Sequence, residues 1–171
     1  MSNLRLINET TASSVASVSV TNCFSADFDI YQVQINVSVA SGNNNINARL
    51  LNSSGSQVST STYDLAGLNL NAFSSFAEDR ETGNTSFHYL TQVLDSNDSG
   101  VGNTYFFNPF NNESYTFVLS QQGNVTGTDF RSRKQIQVEK STTQATGLYL
   151  FTENSGTVNL NVSVYGLRVD S

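Results

Sequence analysis

The stretch "IYQVQINVSVASGNNNINA" constrains the chain more than any other. Tyr31, Val33, Ile35, Val37 and Val39 share one parity, and Gln32, Gln34, Asn36 and Ser38 share the other. Successive side chains of a strand point to opposite sides, so this spacing predicts a strand with one buried and one wet face. It also excludes a membrane span at this place, because an uninterrupted apolar helix is what lipid requires. "SGNNN" then supplies residues that tolerate positive φ. Ile46, Ala48 and Leu50 resume the alternation before "NSSGS" turns the chain again. The expectation is a meander of at least three antiparallel strands, the third around Val58 to Tyr63.

Further strands are predicted at Val15 to Thr21, Ser86 to Val93, Thr104 to Phe110, Tyr115 to Gln121, Gln135 to Glu139, Gly147 to Phe151 and Thr157 to Val169, about ten in all. In the last, Val158, Leu160, Val162 and Val164 share one face while Leu167 and Val169 lie on the other parity, which predicts a bulge near Gly166. "LAGLNLNAFSSFAEDRE" could carry only a helical turn or two, and no other segment has a helical period. Short strands joined by Gly, Asn and Ser turns predict an all-β fold, an antiparallel β-sandwich of jelly-roll-like form. No repeat or linker divides residues 1–171, so a single domain is expected.

Alternation holds at Tyr115, Phe117 and Leu119, with Thr116 and Ser120 between them, but it fails just upstream. Tyr105, Phe106, Phe107 and Phe110 place apolar side chains on both faces of the strand that leads to Pro109, the one proline of the chain. Proline lacks the ladder donor and belongs at a strand end, so "NPFNNES" reads as a connection. Phe106 and Phe107 must point to opposite faces. One face then belongs to the protomer core, and the other is expected to meet a neighbouring subunit, with Phe106, Phe107 and Phe110 as the candidate interface residues. A long loop of the same chain is the competing cover.

Charged residues make up 13% of the chain and the net charge is -6, with only two lysines. That balance disfavours a phosphate-tracking surface, so no nucleic-acid partner is expected. Cys23 is the only cysteine, which rules out a disulfide framework within the chain and reads as a small buried hydrophobe. No basic segment followed by an apolar stretch opens the chain, which suggests synthesis in a cytoplasm without export.

Chemistry-bearing residues are sparse. "DSNDSG" places Asp95, Asn97 and Ser99 before Gly100 like the opening of a calcium loop, but Phe106 stands where the closing glutamate is needed. His88 is the sole histidine, so a multi-histidine metal site cannot form within one chain. Asp27 with Asp29, and Glu78, Asp79 and Glu81, are carboxylate pairs by arithmetic only, on a solvated face and in what reads as a solvated loop. No serine stands in a nucleophile elbow, and "SGVGN" lacks the features of a dinucleotide loop. Arg131, Arg133, Lys134 and Lys140 are half the basic residues, a cluster suited either to guarding a sheet edge or to docking on an acidic neighbour. The reading is therefore no enzyme, no catalytic or metal site and no cofactor.

Three stretches carry a resemblance: "LINETTASSVASVSVTNCFSADFDIYQV", "YFFNPFNNESYTFVLSQ" and "GTVNLNVSVYGLR". With them the chain resembles a group of virion structural proteins from tailed bacteriophages. The resemblance implies a jelly-roll-like sandwich made in the host bacterium and displayed on the virion. There it would decorate or cement the capsid, or form part of a tail appendage. The implied partners are copies of itself, with a homotrimer favoured by analogy, and the major capsid protein or tail components. The alternative is a lectin-like module that recognises bacterial-surface glycan through exposed tyrosines and amides.

Overall fold

In the computed structural model, which describes residues 4–94 and 98–168, the described residues form twelve strands and no helix. They are β1 (Leu4–Val15), β2 (Ser17–Val20), β3 (Ile30–Ser41), β4 (Asn44–Asn52), β5 (Tyr63–Asn69), β6 (Ala77–Asn84), β7 (Phe87–Val93), β8 (Ser99–Phe107), β9 (Thr116–Thr126), β10 (Asp129–Glu139), β11 (Ala145–Thr152) and β12 (Thr157–Leu167). All named pairings are antiparallel. An eight-stranded sheet runs β1-β12-β3-β8-β9-β10-β5-β6, and a four-stranded sheet runs β2-β11-β4-β7. The two sheets form the expected jelly-roll-like sandwich.

The predicted meander does not form, because β3 and β4 belong to different sheets. "SGNNN" bends the chain between the layers, with Gly42 at φ +70°. No strand spans Val58 to Thr62. That segment is tied to β4 by Val58 N–H donating to the Leu50 carbonyl at 2.9 Å, and by the "NSSGS" turn, in which Asn52 Oδ1 accepts from the backbone N–H of Ser54 and Ser56. The segment that could have held a helical turn instead contributes β5, a short connection and β6.

A bulge was expected near Gly166; on the β3 side Gly166 lies in unbroken register opposite Tyr31, and the irregularity beside it falls instead on β1, where Ile7 is the extra residue opposite Tyr165 and Val164. The glycine is needed for space. A Cβ there would stand 2.6 Å from the Phe28 ring, so Phe28 plugs the end of the core through the missing side chain. Leu167 consequently stays on the outer face with its cross-strand partners Leu4 and Ile30.

The core lies between the four-stranded sheet and β12, β3 and β8. Val33, Ile35, Val162 and Val164 from the large sheet meet Ile46, Leu50, Leu148 and Leu150 from the small one, all essentially inaccessible. A chain of ring contacts, Phe28–Tyr31–Phe24–Phe106–Phe87–Tyr63, crosses it with centroids 4.7–5.8 Å apart. The two phenols in this chain are satisfied: Tyr31 donates to the Ser25 carbonyl and Tyr63 to the Val58 carbonyl, each at 2.7 Å. Buried phenols usually find such partners. Burial raises the pKa of both. Strand β7 sits directly on β8, where Gly102 leaves room; a Cβ at that position would lie 2.2 Å from the Leu90 carbonyl oxygen.

Candidate functional site

Each cross-strand row of the eight-stranded sheet changes character along its length. On the inner face one row reads Val164, Val33, Thr104, Ser120, Gln135, Gly67, Asp79, and the next reads Gly166, Tyr31, Phe106, Val118, Gln137, Leu65, Glu81. The rows begin apolar under the four-stranded sheet and end polar beyond it. Ser120, Gln122, Asn124, Gln135, Gln137 and Glu139 are all buried. The inward parity of β9 and β10 is thus largely the polar one.

These groups are partly satisfied by unusual means. Gln137 acts as a one-residue strand partner for β7: its Nε2 donates to the His88 carbonyl and its Oε1 accepts from His88 N–H, both at 2.8 Å. Glu139 accepts from Thr62 Oγ1 at 2.6 Å and from Ser141 N–H and Oγ at 2.8 Å each. By contrast, both amide atoms of Gln122 and Nε2 of Gln135 are buried without a partner among the described residues.

The outer face shows the converse. Here the apolar parity of β9 and β10 points away from the core: Tyr115 is 45% exposed, Phe117 49% and Ile136 61%. The alternation at Tyr115, Phe117 and Leu119 is real, but the side it would be expected to bury is the outer one. Two outer rows form a continuous band at one end of the sheet, Leu4-Leu167-Ile30-Phe107-Phe117-Val138 and Leu6-Tyr165-Gln32-Tyr105-Leu119-Ile136. Six strands contribute, and none of these twelve residues is charged. Contiguous exposed apolar surface of this kind marks an interaction face.

The three candidate interface residues separate accordingly. Phe106 is fully buried among Phe24 and Phe87 and cannot touch a neighbour, which corrects the expectation for that residue. Phe110 is half-buried, packing partly on the core of its own chain and partly lining a surface groove with Phe28 and Asn108, away from the outer band. Phe107 alone lies in the outer band, paired with Phe117 and Ile30. Sequence reading missed Leu4, Leu6, Phe117, Leu119 and Ile136. The signal was available, since β10 carries apolar residues on one parity and Gln135, Gln137 and Glu139 on the other.

The remaining candidates scatter. Asp27 and Asp29 are both exposed on either side of buried Phe28. Glu78, Asp79 and Glu81 lie on β6, an edge strand of the large sheet, and not on a loop. Asp79 and Glu81 turn inward, where Arg133 Nη1 bonds Asp79 at 2.8 Å and His88 Nδ1 lies 2.8 Å from Glu81 Oε2. Tyr89, at φ +55°, stacks under the Arg133 guanidinium at 3.7 Å, and its phenol pKa is raised by desolvation and then by Glu81.

The basic cluster guards no edge, because β10 lies between β9 and β5. Three of its members are engaged within the chain, Lys140 with Asp64 at 2.6 Å, which lowers the Asp64 pKa, Arg133 with Asp79 and Arg131 over Phe73, while Lys134 is exposed on the outer face. The charged edge is β6 itself. Cys23 is buried, and desolvation pushes its thiol up to about 12. Asp95 and Asn97 of the calcium-like stretch lie outside the described residues. No group of three or more His, Cys, Asp or Glu placed to hold a metal ion occurs among the described residues, nor does a helix long and apolar enough to cross a membrane.

No protein-family model and no curated protein matches the chain. Among solved structures, galectin LEC-6 of Caenorhabditis elegans is similar over 93% of this chain and 96% of that chain, at 12% sequence identity and a TM-score of 0.39. A likeness of that strength bears on neither ligand nor partner.

Proposed function

We propose that the protein is a structural component of a bacteriophage virion, a non-catalytic sandwich that associates through the outer face of its eight-stranded sheet. The observation that carries the reading is the reversed parity of β9 and β10, which turns Phe117 and Ile136 outward while amides fill the inside. A chain that leaves buried amides without partners gains nothing in stability from exposing those apolar residues, so the outer band serves contact with another molecule.

The occupant of the band is a second copy of the same chain. With a net charge of -6, two copies repel at most orientations, yet the band brings no charged side chain against its equivalent. Residues of the remaining surface then hold the assembly on the capsid or a tail appendage by shape and hydrogen bonding. The test is mass spectrometry and imaging of purified particles produced by cells that encode the chain. The reading expects the protein in particles at symmetric, repeated positions. Its absence from washed particles, with the protein abundant in the producing cells, would overturn it.

A further inference from the structure

Beyond the band, the outer face changes chemistry. Two to four residues along the strands, about 7 to 13 Å away, the middle of the sheet turns to neutral amides and hydroxyls around an exposed Val101, with Glu9 of β1 and Lys134 of β10 at the two ends of one row. There, a groove of about 430 Å³ is lined by the side chains of Gln34, Asn36, Asn103, Gln121 and Ser132, with Gly123 as its floor. A second groove, of about 280 Å³, is lined by Thr11, Ser13, Asn159 and Asn161 and shares Asn36 with the first. Together they make one trough that crosses β10, β9, β8, β3, β12 and β1, about 24 Å at ordinary strand spacing.

We propose that this trough binds a neutral, linear oligosaccharide several sugar units long. No charged residue lines either groove, and the charges that flank the row, Lys134 beside Gln121 and Glu9 at the far end, are one of each sign, so a polymer of repeated phosphates or carboxylates has no matching run of counter-ions there. The trough runs across the strands and offers side chains; it meets a free strand edge only at its β1 end, and there at right angles, so an extended peptide added as a strand would not lie along it. What the first groove offers is amides and a hydroxyl that are not used elsewhere, whereas in the second Asn159 already bonds Ser14 N–H and Ser38, and Asn161 bonds Thr11. The side chains of Gln34, Asn36, Gln121 and Ser132 make no hydrogen bond within the described chain, and Asn103 uses only its oxygen, which accepts from Gln32 Nε2 at 2.8 Å. An amide presents donors and an acceptor side by side, as vicinal hydroxyls do.

Gly123 and Phe130 complete the site. A Cβ on Gly123 would meet nothing closer than the Phe130 ring at 3.5 Å, so the glycine is not required by packing and its missing side chain opens the floor. The half-exposed Phe130 ring stands beside it as an apolar wall for the CH face of a sugar. The inference uses residues distinct from the band and does not rest on the virion reading.

The test is a nuclear magnetic resonance titration of the side-chain amide signals with malto-, cello- and chito-oligosaccharides of one to six units. We expect saturating shifts at Gln34, Asn36, Asn103 and Gln121 with at least one series, and affinity rising about tenfold or more from one unit to four. Gly123→Val should fill the floor and weaken binding about tenfold or more without changing the melting temperature. If that variant does not fold, the double change Asn36→Ala with Gln121→Ala, both at exposed positions, should give the same loss. No saturating shift at these amides with any series, affinity independent of length, or unchanged binding by the folded variants would each overturn the proposal.

Discussion

Strands β3 and β12 and strands β9 and β10 belong to one sheet, yet they use their two faces in opposite ways. In β3 the apolar parity, Tyr31, Val33, Ile35 and Val37, is sealed under the second sheet while Gln34 and Asn36 are exposed. In β10 the apolar residue Ile136 is 61% exposed while Gln135 and Gln137 are buried. Alternation fixes which residues share a face; it does not fix which face is covered by the same chain. The four-stranded sheet ends at β7, so β10, β5 and β6 extend past its apolar cover, and there the burial of large hydrophobes must come from elsewhere.

The sharpest test of the covered half is Phe106→Ala. Phe106 sits midway in the ring chain that crosses the core, so truncation should cost about 3–5 kcal/mol, much of a typical domain's stability. A thermal melt that drops by only a degree or two would show that the core does not run through it. Gln137→Ala probes the polar half. It strips the His88 N–H and carbonyl of their side-chain partner and should cost about 1–3 kcal/mol in denaturant unfolding. An unchanged midpoint would mean that β7 does not need that clamp. Gln122→Met should have the opposite sign, raising stability by about 1 kcal/mol, because an amide buried without partners is replaced by an apolar chain of similar size. A fall in melting temperature would show that the Gln122 amide is satisfied.

Cys23 supplies a pH test of burial in the apolar half. Its folded-state pKa is raised to about 12 from 9.0, chiefly by desolvation. Its stabilising share is therefore complete below about pH 9 and is lost as pH rises from there toward 12, where the unfolded thiol ionises and the folded one does not. Native protein at pH 8 should resist alkylation, and urea-unfolded protein should react at once. Equal rates would contradict the burial.

Much of the sandwich was legible in the sequence, because β3, β7, β8, β11 and β12 carry strong alternation or apolar runs bounded by Gly, Asn and Ser turns. The assignment of β3 and β4 to different sheets was not, since "SGNNN" is equally good chemistry for a hairpin and for a layer crossing. Gly166 read as a bulge because parity changes there; only the Phe28 ring, distant in sequence, explains the glycine. Phe106 and Phe107 were correctly placed on opposite faces by period two alone. Phe117 and Ile136 were missed as outer-face residues, because a buried amide row looks in sequence like a solvent row. The trough was invisible for a related reason: its amides come from four strands and meet only through cross-strand register.

The smallest effect on stability is expected at the outer band and the largest on assembly. The double change Phe117→Ser with Ile136→Ser removes two exposed side chains and should alter folding stability by about 1 kcal/mol or less. Sedimentation equilibrium of the wild-type protein and this variant, with melting temperatures measured in parallel, is the most direct test that the outer face is a contact surface between copies. The account predicts a discrete oligomer, a trimer on the virion reading, for the wild type and a folded monomer for the variant. A wild-type protein that stays monomeric at high concentration, or a variant that assembles as the wild type does, would contradict it.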